Sequence, residues 1–478
     1  MTSFRKYIDN TTAHGVVRIF SGKSVIRRLF WLVIVLGATV GCLNNIIDRI
    51  IYLAGGPTAT TLSLERQVNL TFPAVTVCNL NQYRKDVVDA IHPELSEHLR
   101  GVFYTDPEDV DETLTCSYVL SSISERANLT DLTLTDLSYM ARDPIEYFIT
   151  ACYFSGRRCS HSDFTTVLTD SGYCYTFNSY KREPSLITAT NTGGKAGLSV
   201  ALNINQSQYV SSSSFDAGVK VVVHTQNEPP RPESTGVGVP PGSNAFIGIR
   251  QRSIIDNTQR QCIDANINSY NNFTFLTDDY SIGACDYDCL LIRVAEECNC
   301  TYIPPQNNNF PTLPSCTLSD ICCVVQQQRS NIDCGCKATC STTDYEVYNS
   351  YSAFPAMYAE EDFEELFQTT LDAKSNLLSV NVYFETLNVE MQTTSNAYGA
   401  VALLSDIGGQ LGLFLGVSVI SIMEFGTWIV DEVKNRLFGD KFKERKLCGY
   451  CKTSKTDGEE HKLPQENKLP DEYVEDKC

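Results

Sequence analysis

A stretch of seventeen residues without any charged side chain, from Ile407 to Met423, limits the possible folds of this chain more than any other feature. A helix that crosses the hydrocarbon core of a bilayer needs about 20 mostly apolar residues, so this stretch and its flanks predict a membrane span. Asp406 and Glu424 bound it, and an ionisable group in such a place usually marks an ion or substrate path. A single-pass anchor, with glycines for helix packing, is the alternative. The small residues that recur through the segment are Gly408, Gly409, Gly412, Gly416 and Ser418.

A second apolar segment, residues 29–51, follows a basic tail near the N-terminus. Lysine and arginine also follow the uncharged segment that ends at Met423. An excess of positive charge is typical of cytoplasmic flanks, so both termini are predicted to be cytoplasmic. A signal-peptide core is the alternative for residues 29–51. The predicted division is a cytoplasmic tail at 1–28, spans at 29–51 and 397–430, an extracellular domain at 52–396, and a cytoplasmic tail at 431–478, of which 437–478 is predicted to be disordered.

Cysteine usage and sequons both indicate an oxidising, extracellular location for the middle of the chain. The chain has 20 cysteines, and most lie between Cys78 and Cys340. The Asn-x-Ser/Thr sequons of this middle part, predicted as glycosylation sites, are Asn69, Asn128, Asn205, Asn272 and Asn299.

Composition and motifs exclude several classes of function. The net charge of −19 argues against binding to nucleic acid. The chain has no HExxH, GxSxG or phosphate-loop pattern, so we predict neither an enzyme nor a cofactor. Zinc at Cys298-x-Cys300 and Cys334-x-Cys336 is disfavoured, because zinc fingers prefer C-x2–4-C spacing and reducing compartments. We therefore predict no metal site.

Hydrophobic periodicity predicts an α+β membrane protein. Residues 70–84, 198–223 and 377–390 have strand patterns, and the last of these is predicted to run as one strand towards the second span. Residues 86–148 and 354–368 are predicted to be mostly helical.

Motifs in order along nearly the whole chain resemble the degenerin/epithelial sodium channel (DEG/ENaC) family, which includes acid-sensing and neuropeptide-gated channels. They are His14-Gly15, FPAVTVCN (72–79), CYFSGRRC (152–159), CYTFNS (174–179), HTQNEPP (224–230), YSIGACDYDC (280–289), ECNC (297–300), FETLN (384–388) and LLSDIGGQLGLFLGVS (403–418). The resemblance implies two transmembrane helices and a large disulfide-rich extracellular domain, with a β-strand palm and β-ball and a helical finger, thumb and knuckle. It also implies a homo- or heterotrimer with sister subunits in the lipid of the plasma membrane. Sodium is the expected ion, and calcium permeation stays open.

The resemblance also implies a set of disulfides in the extracellular domain. Cys298 is expected to pair with Cys322, and the adjacent Cys323 is an alternative partner. Cys116 is left over, and a finger-to-thumb bridge is one use for it. Cys448 and Cys451 fit either palmitoylation or reduced thiols. The other implied pairs are Cys78–Cys174, Cys152–Cys159, Cys262–Cys340, Cys285–Cys336, Cys289–Cys334 and Cys300–Cys316.

Four short segments match functional positions of the family, although structural packing is the alternative for each. Gly416, Val417 and Ser418 match the selectivity filter. Ser405 and Asp406 match the pore mouth and gate, where three carboxylates would concentrate cations. His14 and Gly15 match the N-terminal gating motif, and Leu387 and Asn388 match the desensitisation linker.

The stimulus that opens the channel is predicted from titratable groups that acid-sensing relatives have and this chain lacks. Acid-sensing relatives carry histidines and carboxylates where this chain has Pro57, Thr58, residues 211–214 and residues 324–332, and Asn227 replaces a carboxylate beside Glu228. A proton gate needs groups that titrate between about pH 5 and 8. We therefore predict a ligand-gated, amiloride-sensitive-type sodium channel opened by a short amidated extracellular neuropeptide. A proton-gated channel, a constitutive or mechanically gated channel, and a receptor domain without a pore are the alternatives.

Overall fold

The structure is a computed structural model. It describes residues 15–21, 24–93, 95–102, 121, 131–179, 186–210, 216–258, 262–263, 274–276, 280–305, 310–330, 333–360 and 372–446. Contacts divide the chain into two units, which we call the helical unit, Met1–Gly56 with Tyr398–Cys478, and the strand unit, Pro57–Ala397.

Helices and strands are numbered in chain order. The helices are α1 Val16–Ser21, α2 Val25–Ala54, α3 Lys85–Ile91, α4 Leu95–Val102, α5 Leu134–Met140, α6 Ile145–Phe148, α7 Pro232–Thr235, α8 Ile282–Cys298, α9 Ile321–Arg329, α10 Ala373–Asn376, α11 Ala400–Leu415 and α12 Val419–Lys446. The strands are β1 Thr58–Arg66, β2 Leu70–Thr71, β3 Ala74–Asn79, β4 Ile149–Phe154, β5 Arg157–Arg158, β6 Phe164–Thr169, β7 Gly172–Phe177, β8 Thr188–Ala189, β9 Leu198–Asn203, β10 Val219–His224, β11 Val237–Val239, β12 Ser243–Asp256, β13 Ser341–Ala353, β14 Leu377–Phe384 and β15 Asn388–Asn396.

The helical unit contains the two candidate membrane crossings. Helix α2 is long and apolar enough to cross a bilayer by itself. Helix α11 and the part of α12 up to Lys434 pass the same test together, but they are bent by 80° at the residues between them. The second span, predicted as one crossing over 397–430, is therefore a broken helix.

The strand unit is built on β12, a strand of 14 residues. Its sheet has the order β1-β15-β12-β14-β9-β4-β5, and β13 pairs with β12 along its whole length. A second sheet has the order β11-β10-β3-β7-β6. The shared apolar core includes Phe72, which is fully buried and makes edge-to-face contacts with Phe154 and Phe384 at centroid distances of 5.0 and 6.0 Å.

One strand prediction was wrong. Residues 377–390, predicted as a single strand, form β14 and β15 with a break at 385–387. Both strands pair in parallel with the same edge of β12, β14 along Asn244–Ile249 and β15 along Arg252–Asp256. At the break, the Glu385 N–H donates to the Ile249 carbonyl at 3.0 Å, and the Asn388 N–H donates to Thr386 Oγ1 at 3.1 Å.

Disulfides brace helix α8, which begins at Ile282 and is capped by Ser281, whose hydroxyl accepts from the Ala284 N–H at 3.0 Å. Two rungs along α8 are Cys285–Cys336 and Cys289–Cys334. The structure also contains the expected pairs Cys78–Cys174, Cys152–Cys159, Cys262–Cys340 and Cys300–Cys316.

The expected Cys298–Cys322 bridge is wrong, because Cys298 pairs with Cys323. Adjacent residues on a helix point about 100° apart, so only one of the two cysteines at the start of α9 can face Cys298. Cys322 is 5% exposed and packs in an apolar cluster with Leu95 and Leu318. It is itself disulfide-bonded, and the suggested bridge from Cys116 lies outside the described residues. Disulfide bonding of Cys298, Cys300, Cys334 and Cys336 removes the zinc alternative.

The sequons divide between described and undescribed residues. Asn69 and Asn299 are exposed, and Asn299 ends α8 in the left-handed conformation. Asn205 is part-buried, and its side-chain oxygen accepts from the hydroxyl of Ser207, the third residue of its own sequon, at 3.0 Å. Asn128 and Asn272 lie outside the described residues, as do Cys448, Cys451 and residues 447–478. The prediction of disorder over 437–478 is wrong for 437–446, where α12 continues to Lys446.

Candidate functional site

The break in the second span falls on the three residues predicted as a selectivity filter. Helix α11 ends at Leu415, and Gly416 follows in the left-handed conformation with φ +62°. A side chain at such a φ clashes with the following carbonyl, which costs about 1–2 kcal/mol, so the turn favours glycine. The Gly416 N–H donates to the Gly412 carbonyl at 3.0 Å, and the Val417 N–H donates to the Leu411 carbonyl at 3.2 Å.

Two serines organise the start of α12. The Ser421 N–H donates to Ser418 Oγ at 3.3 Å, and the Ser418 N–H donates to Ser421 Oγ at 3.2 Å. This reciprocal arrangement is that of a capping box, which satisfies the free N–H groups at a helix start. Ser421 is only 6% exposed. The break therefore uses hydroxyls, and no charged group, to satisfy the main chain.

The glycines of α11 have open space around them. A Cβ added at Gly408, Gly409 or Gly412 would meet nothing within 4 Å. By contrast, a Cβ at Gly41 in α2 would lie 3.3 Å from the Phe414 ring, where α2 packs against α11. Within the described chain, packing of α11 against α2 therefore does not account for the three glycines of α11.

Asp406 lies nearly two turns into α11 and has two partners in the helical unit. The Tyr398 hydroxyl donates to Asp406 Oδ2 at 2.6 Å, and Arg49 Nε lies 3.5 Å from the same oxygen. The Tyr398 ring also packs edge-to-face on Tyr52 at 5.3 Å. Arg49 partly offsets the carboxylate charge. Sequence reasoning missed this arginine because it stands far away in the chain, on α2.

Of the other residues predicted for the gate and the N-terminal gating motif, the structure describes Ser405 and Gly15. Ser405 is exposed, and its hydroxyl donates to the Val401 carbonyl at 3.0 Å. Gly15 precedes α1 and has φ +85°. His14 lies outside the described residues.

Leu387 and Asn388 lie where β14 ends and β15 begins. The Leu387 carbonyl accepts from the Gln67 N–H at 3.1 Å, and its side chain packs against the main core. Asn388 stands opposite Arg66 in the β1–β15 ladder.

Two arginines on β12 hold both sides of this break. Arg250 Nε donates to Glu385 Oε2 at 2.8 Å, and its guanidinium also lies 4.8 Å from the centroid of the Tyr348 ring. Arg252 Nε donates to Glu390 Oε1 at 3.1 Å, and its terminal nitrogen also pairs with Glu346 on β13. These pairs join residues more than 90 positions apart, and the sequence carried no signal for them.

Two part-buried carboxyls, Asp143 and Asp170, form a further feature that sequence reasoning missed. Burial raises the pKa of Asp143 to about 6, although Asn79 Nδ2 donates to its Oδ2 at 2.6 Å. Burial, together with the nearby Glu233 carboxylate, raises the pKa of Asp170 to about 6. Both groups therefore change charge within the range in which a proton sensor works.

The structure describes only some of the positions at which this chain lacks the histidines and carboxylates of acid-sensing channels. The Pro57 carbonyl accepts from the Ala397 N–H at 2.9 Å, and Thr58 begins β1. Val324 and Val325 are buried on α9. Residues 211–214 and 331–332 lie outside the described residues.

These features define a membrane protein with two spans and, between them, a large disulfide-rich mixed α/β extracellular domain. The family model described as "Amiloride-sensitive sodium channel" matches residues 7–427, and the chain belongs to this ion-channel family. The resemblance to the DEG/ENaC family is thereby confirmed, and the chain is not an enzyme.

Curated relatives match nearly the whole chain. Acid-sensing ion channel 1C of Danio rerio is 30% identical over 465 residues, which cover 93% of this chain and 86% of that protein. Acid-sensing ion channel 2 of Homo sapiens is 29% identical over 457 residues, covering 91% and 88%. Among solved structures, a cryo-EM structure of a proton-activated chloride channel matches 85% of this chain and 96% of its own, with a TM-score of 0.30 and 5% identity.

Proposed function

We propose that the chain is a pore-forming subunit of a sodium-permeable plasma-membrane channel, assembled as a homo- or heterotrimer, in which Gly416, Val417 and Ser418 select the ion. The observation that carries this proposal is the helix break at these residues, inside a stretch with no charge. The main-chain carbonyls that end α11 can replace part of the hydration shell of an ion. The open space beside Gly408, Gly409 and Gly412 fits a surface that faces a pore or a neighbouring subunit.

Modification of Ser405 tests the assignment of the pore mouth. In Ser405→Cys, we expect an extracellular methanethiosulfonate reagent to bind covalently while the channel is open and to hold the current on, because the adduct obstructs closure. Val401→Cys, one turn away on α11 and also exposed, is the matched control. Equal effects at both positions, or none at Ser405 with surface expression shown, would remove Ser405 from the gate.

For the stimulus, the named relatives favour acid over the peptide that the sequence predicted. We propose that extracellular acidification drives this channel through Asp143 and Asp170. Asp143 is linked through Asn79 to the Tyr209 hydroxyl, which donates to Asn79 Oδ1 at 2.6 Å and accepts from the Gly218 N–H at 3.3 Å. A proton on Asp143 would therefore change a network that joins β3 to the segment before β10.

The direction in which pH changes the stability of this conformation follows from the shift in the pKa of Asp143. Asp titrates near 3.8 when exposed, whereas the pKa of Asp143 is about 6 here, so the folded conformation takes up the proton at higher pH. Lowering the pH through 6 towards 4 therefore stabilises the conformation that buries the carboxyl, and raising it through 6 removes that stabilisation. Protonation of Asp143 therefore favours whichever gating state keeps this carboxyl buried.

Acid steps from pH 7.4 to 5 on expressing cells test this proposal. We expect a sodium current whose steepness with pH falls in Asp143→Asn and falls further when Asp170→Asn is added, because each change removes one titrating group. Asp372→Asn, an exposed helix cap outside both clusters, should leave the steepness unchanged. Current that is absent at every pH, in cells that have the chain at their surface, would contradict acid gating.

A short amidated neuropeptide is the second candidate stimulus. The observation that favours it is Asn227, an amide beside Glu228 in a stretch that resembles the carboxylate-bearing motif of acid-sensing channels. A panel of such peptides at pH 7.4, applied alone and with sister subunits, separates the two candidates. Peptide-evoked current without acid-evoked current would replace the first proposal, and steady current with neither would indicate a constitutive channel.

A further inference from the structure

The C-terminal end of α8 carries a sequon whose middle residue is in a disulfide. The sequon is Asn299-Cys300-Thr301, and Cys300 is bonded to Cys316. Asn299 ends α8 in the left-handed conformation with φ +53°, and the residue before it is bonded to α9. The acceptor asparagine therefore lies between two residues that are fixed by covalent bonds.

The fold leaves one side chain of this sequon accessible and buries the other. Asn299 is exposed, whereas Thr301 is only 4% exposed. The Thr301 N–H and its hydroxyl both donate to the Pro314 carbonyl, at 2.8 and 3.4 Å, and the Thr301 carbonyl accepts from the Cys316 N–H at 3.0 Å. The Cys300–Cys316 bond and the buried Thr301 hydroxyl therefore belong to the same small piece of structure.

Transfer of a glycan uses both of these side chains. Asn299 Nδ2 would form a bond to the anomeric carbon of a lipid-linked oligosaccharide, while the bond from that carbon to the pyrophosphate oxygen breaks. The pyrophosphate leaves with the electron pair, and the amide gives up one proton. The transferase binds the hydroxyl two residues further along in the same step, on an extended chain. The buried Thr301 hydroxyl therefore excludes the folded sequon from the reaction.

The other two sequons that the structure describes differ in this respect. Thr71, the third residue of the Asn69 sequon, is exposed. The Ser207 hydroxyl donates to Asn205 Oδ1 of its own sequon at 3.0 Å, so the hydroxyl and the amide already lie together there. Among the three described sequons, only that of Asn299 has its hydroxyl buried against another segment beside a disulfide.

We propose that Asn299 is glycosylated only while Cys300 and Cys316 are still thiols, so that its glycan occupancy is set by competition between glycan transfer and closure of this disulfide. Closure passes two electrons and two protons to an oxidised dithiol protein of the secretory pathway. The two cysteines are 16 positions apart, and synthesis at ~5–20 residues per second delivers the second about 1–3 s after the first. Disulfide formation itself takes seconds or longer, so the chain has a short period in which Asn299 can react. The product is two populations of subunit, with and without this glycan, whatever opens the channel.

Cys316→Ser tests the competition, because it removes the disulfide and leaves the sequon intact. In cells that express the full-length chain, we would release the glycans with peptide N-glycosidase in heavy-oxygen water and measure the occupancy of each sequon by mass spectrometry. We expect an unglycosylated fraction at Asn299 in the wild type that falls to near zero in Cys316→Ser, while the occupancy of Asn69 stays the same. Cys159→Ser, which removes a disulfide elsewhere in the strand unit, is the matched control and should leave both sites unchanged.

A second measurement needs no substitution. Dithiothreitol, added to cells during synthesis of the wild-type chain, keeps the cysteines reduced and should raise the occupancy of Asn299 to the level of Cys316→Ser. Because transfer precedes folding, total protein is measured, and chains that later fail to fold still count. Equal occupancy of Asn299 in the wild type, in Cys316→Ser and under dithiothreitol would refute the proposal. An equal rise in Cys159→Ser would also refute it, because slower folding in general would then be the cause.

Discussion

Two elements of this molecule are interrupted for three residues each, one in the helical unit and one in the strand unit. Helix α11 stops at Leu415 and α12 starts at Val419. Strand β14 stops at Phe384 and β15 starts at Asn388. Both interruptions fall on motifs that resemble functional segments of the family, so the way in which each is held in place bears on how the channel works.

The side chains that hold the two interruptions in place differ in chemistry. The helix break uses a left-handed glycine and two serine hydroxyls, and charge is absent from Ile407 to Met423. The strand break is flanked by the ion pairs of Arg250 with Glu385 and Arg252 with Glu390. A charge at membrane depth is expensive, whereas a part-exposed ion pair is tolerated in water at modest gain. The surrounding solvent therefore explains the difference.

The largest effect is expected at the helix break, from Gly416→Val. A β-branched residue at φ +62° is strained by about 1–2 kcal/mol or more, which is ~5–30-fold in the occupancy of the turn. We expect a fall in sodium current of that size or greater, measured by whole-cell recording and normalised to surface protein. Gly426→Ala, which has open space and a helical backbone on α12, is the control, and equal loss in both variants would mean that the turn is not the cause.

A smaller effect is expected at the strand break, from Arg252→Gln. Arg252 is 31% exposed and pairs with two carboxylates, whereas Arg250 is 52% exposed and pairs with one. Loss of part-buried pairs costs about 1 kcal/mol, so amide exchange of residues 385–396 should speed up ~5-fold. Current decay during a maintained stimulus should change by a similar factor. Arg250→Gln should have the weaker effect, and a reversed order would show that the ion pairs do not hold the segment.

The smallest effect is expected from Ser421→Ala, which removes half of the reciprocal cap at the start of α12. Such a loss costs about 0.5–1 kcal/mol. The sodium-to-potassium permeability ratio should shift by ~2–5-fold, because Ser418 loses a partner that fixes its main chain. Thr427→Ala is the matched control, since that hydroxyl donates to the Glu424 carbonyl within α12 at 2.9 Å. A shift in Thr427→Ala of the same size would indicate a general loss of helix stability.

Sequence reasoning reached the fold class, the two apolar spans and most of the disulfides because those depend on composition and on family motifs. It did not reach the break in residues 377–390, since an alternating pattern cannot show that β12 holds two strands on one edge. The choice of Cys323 over Cys322 depends on the rotation of α9. The raised pKa of Asp143 depends on burial by segments distant in the chain.

The register along β12 limits which insertions and deletions this chain can tolerate during evolution. In the pairing of β14 with β12, Ser379 stands opposite Asn244, and the two residue numbers differ by 135. In the pairing of β15 with β12, Glu390 stands opposite Arg252, and the difference is 138. The second segment therefore has three more residues than β12 between the two pairings. Because strand side chains alternate between faces, this odd number moves the buried face from even-numbered residues such as Val382 to odd-numbered Val389. Gaining or losing one residue here would turn Val389 outward and rotate every side chain up to Asn396. Among descendants of this gene, residues 385–387 can therefore change in identity far more readily than in length.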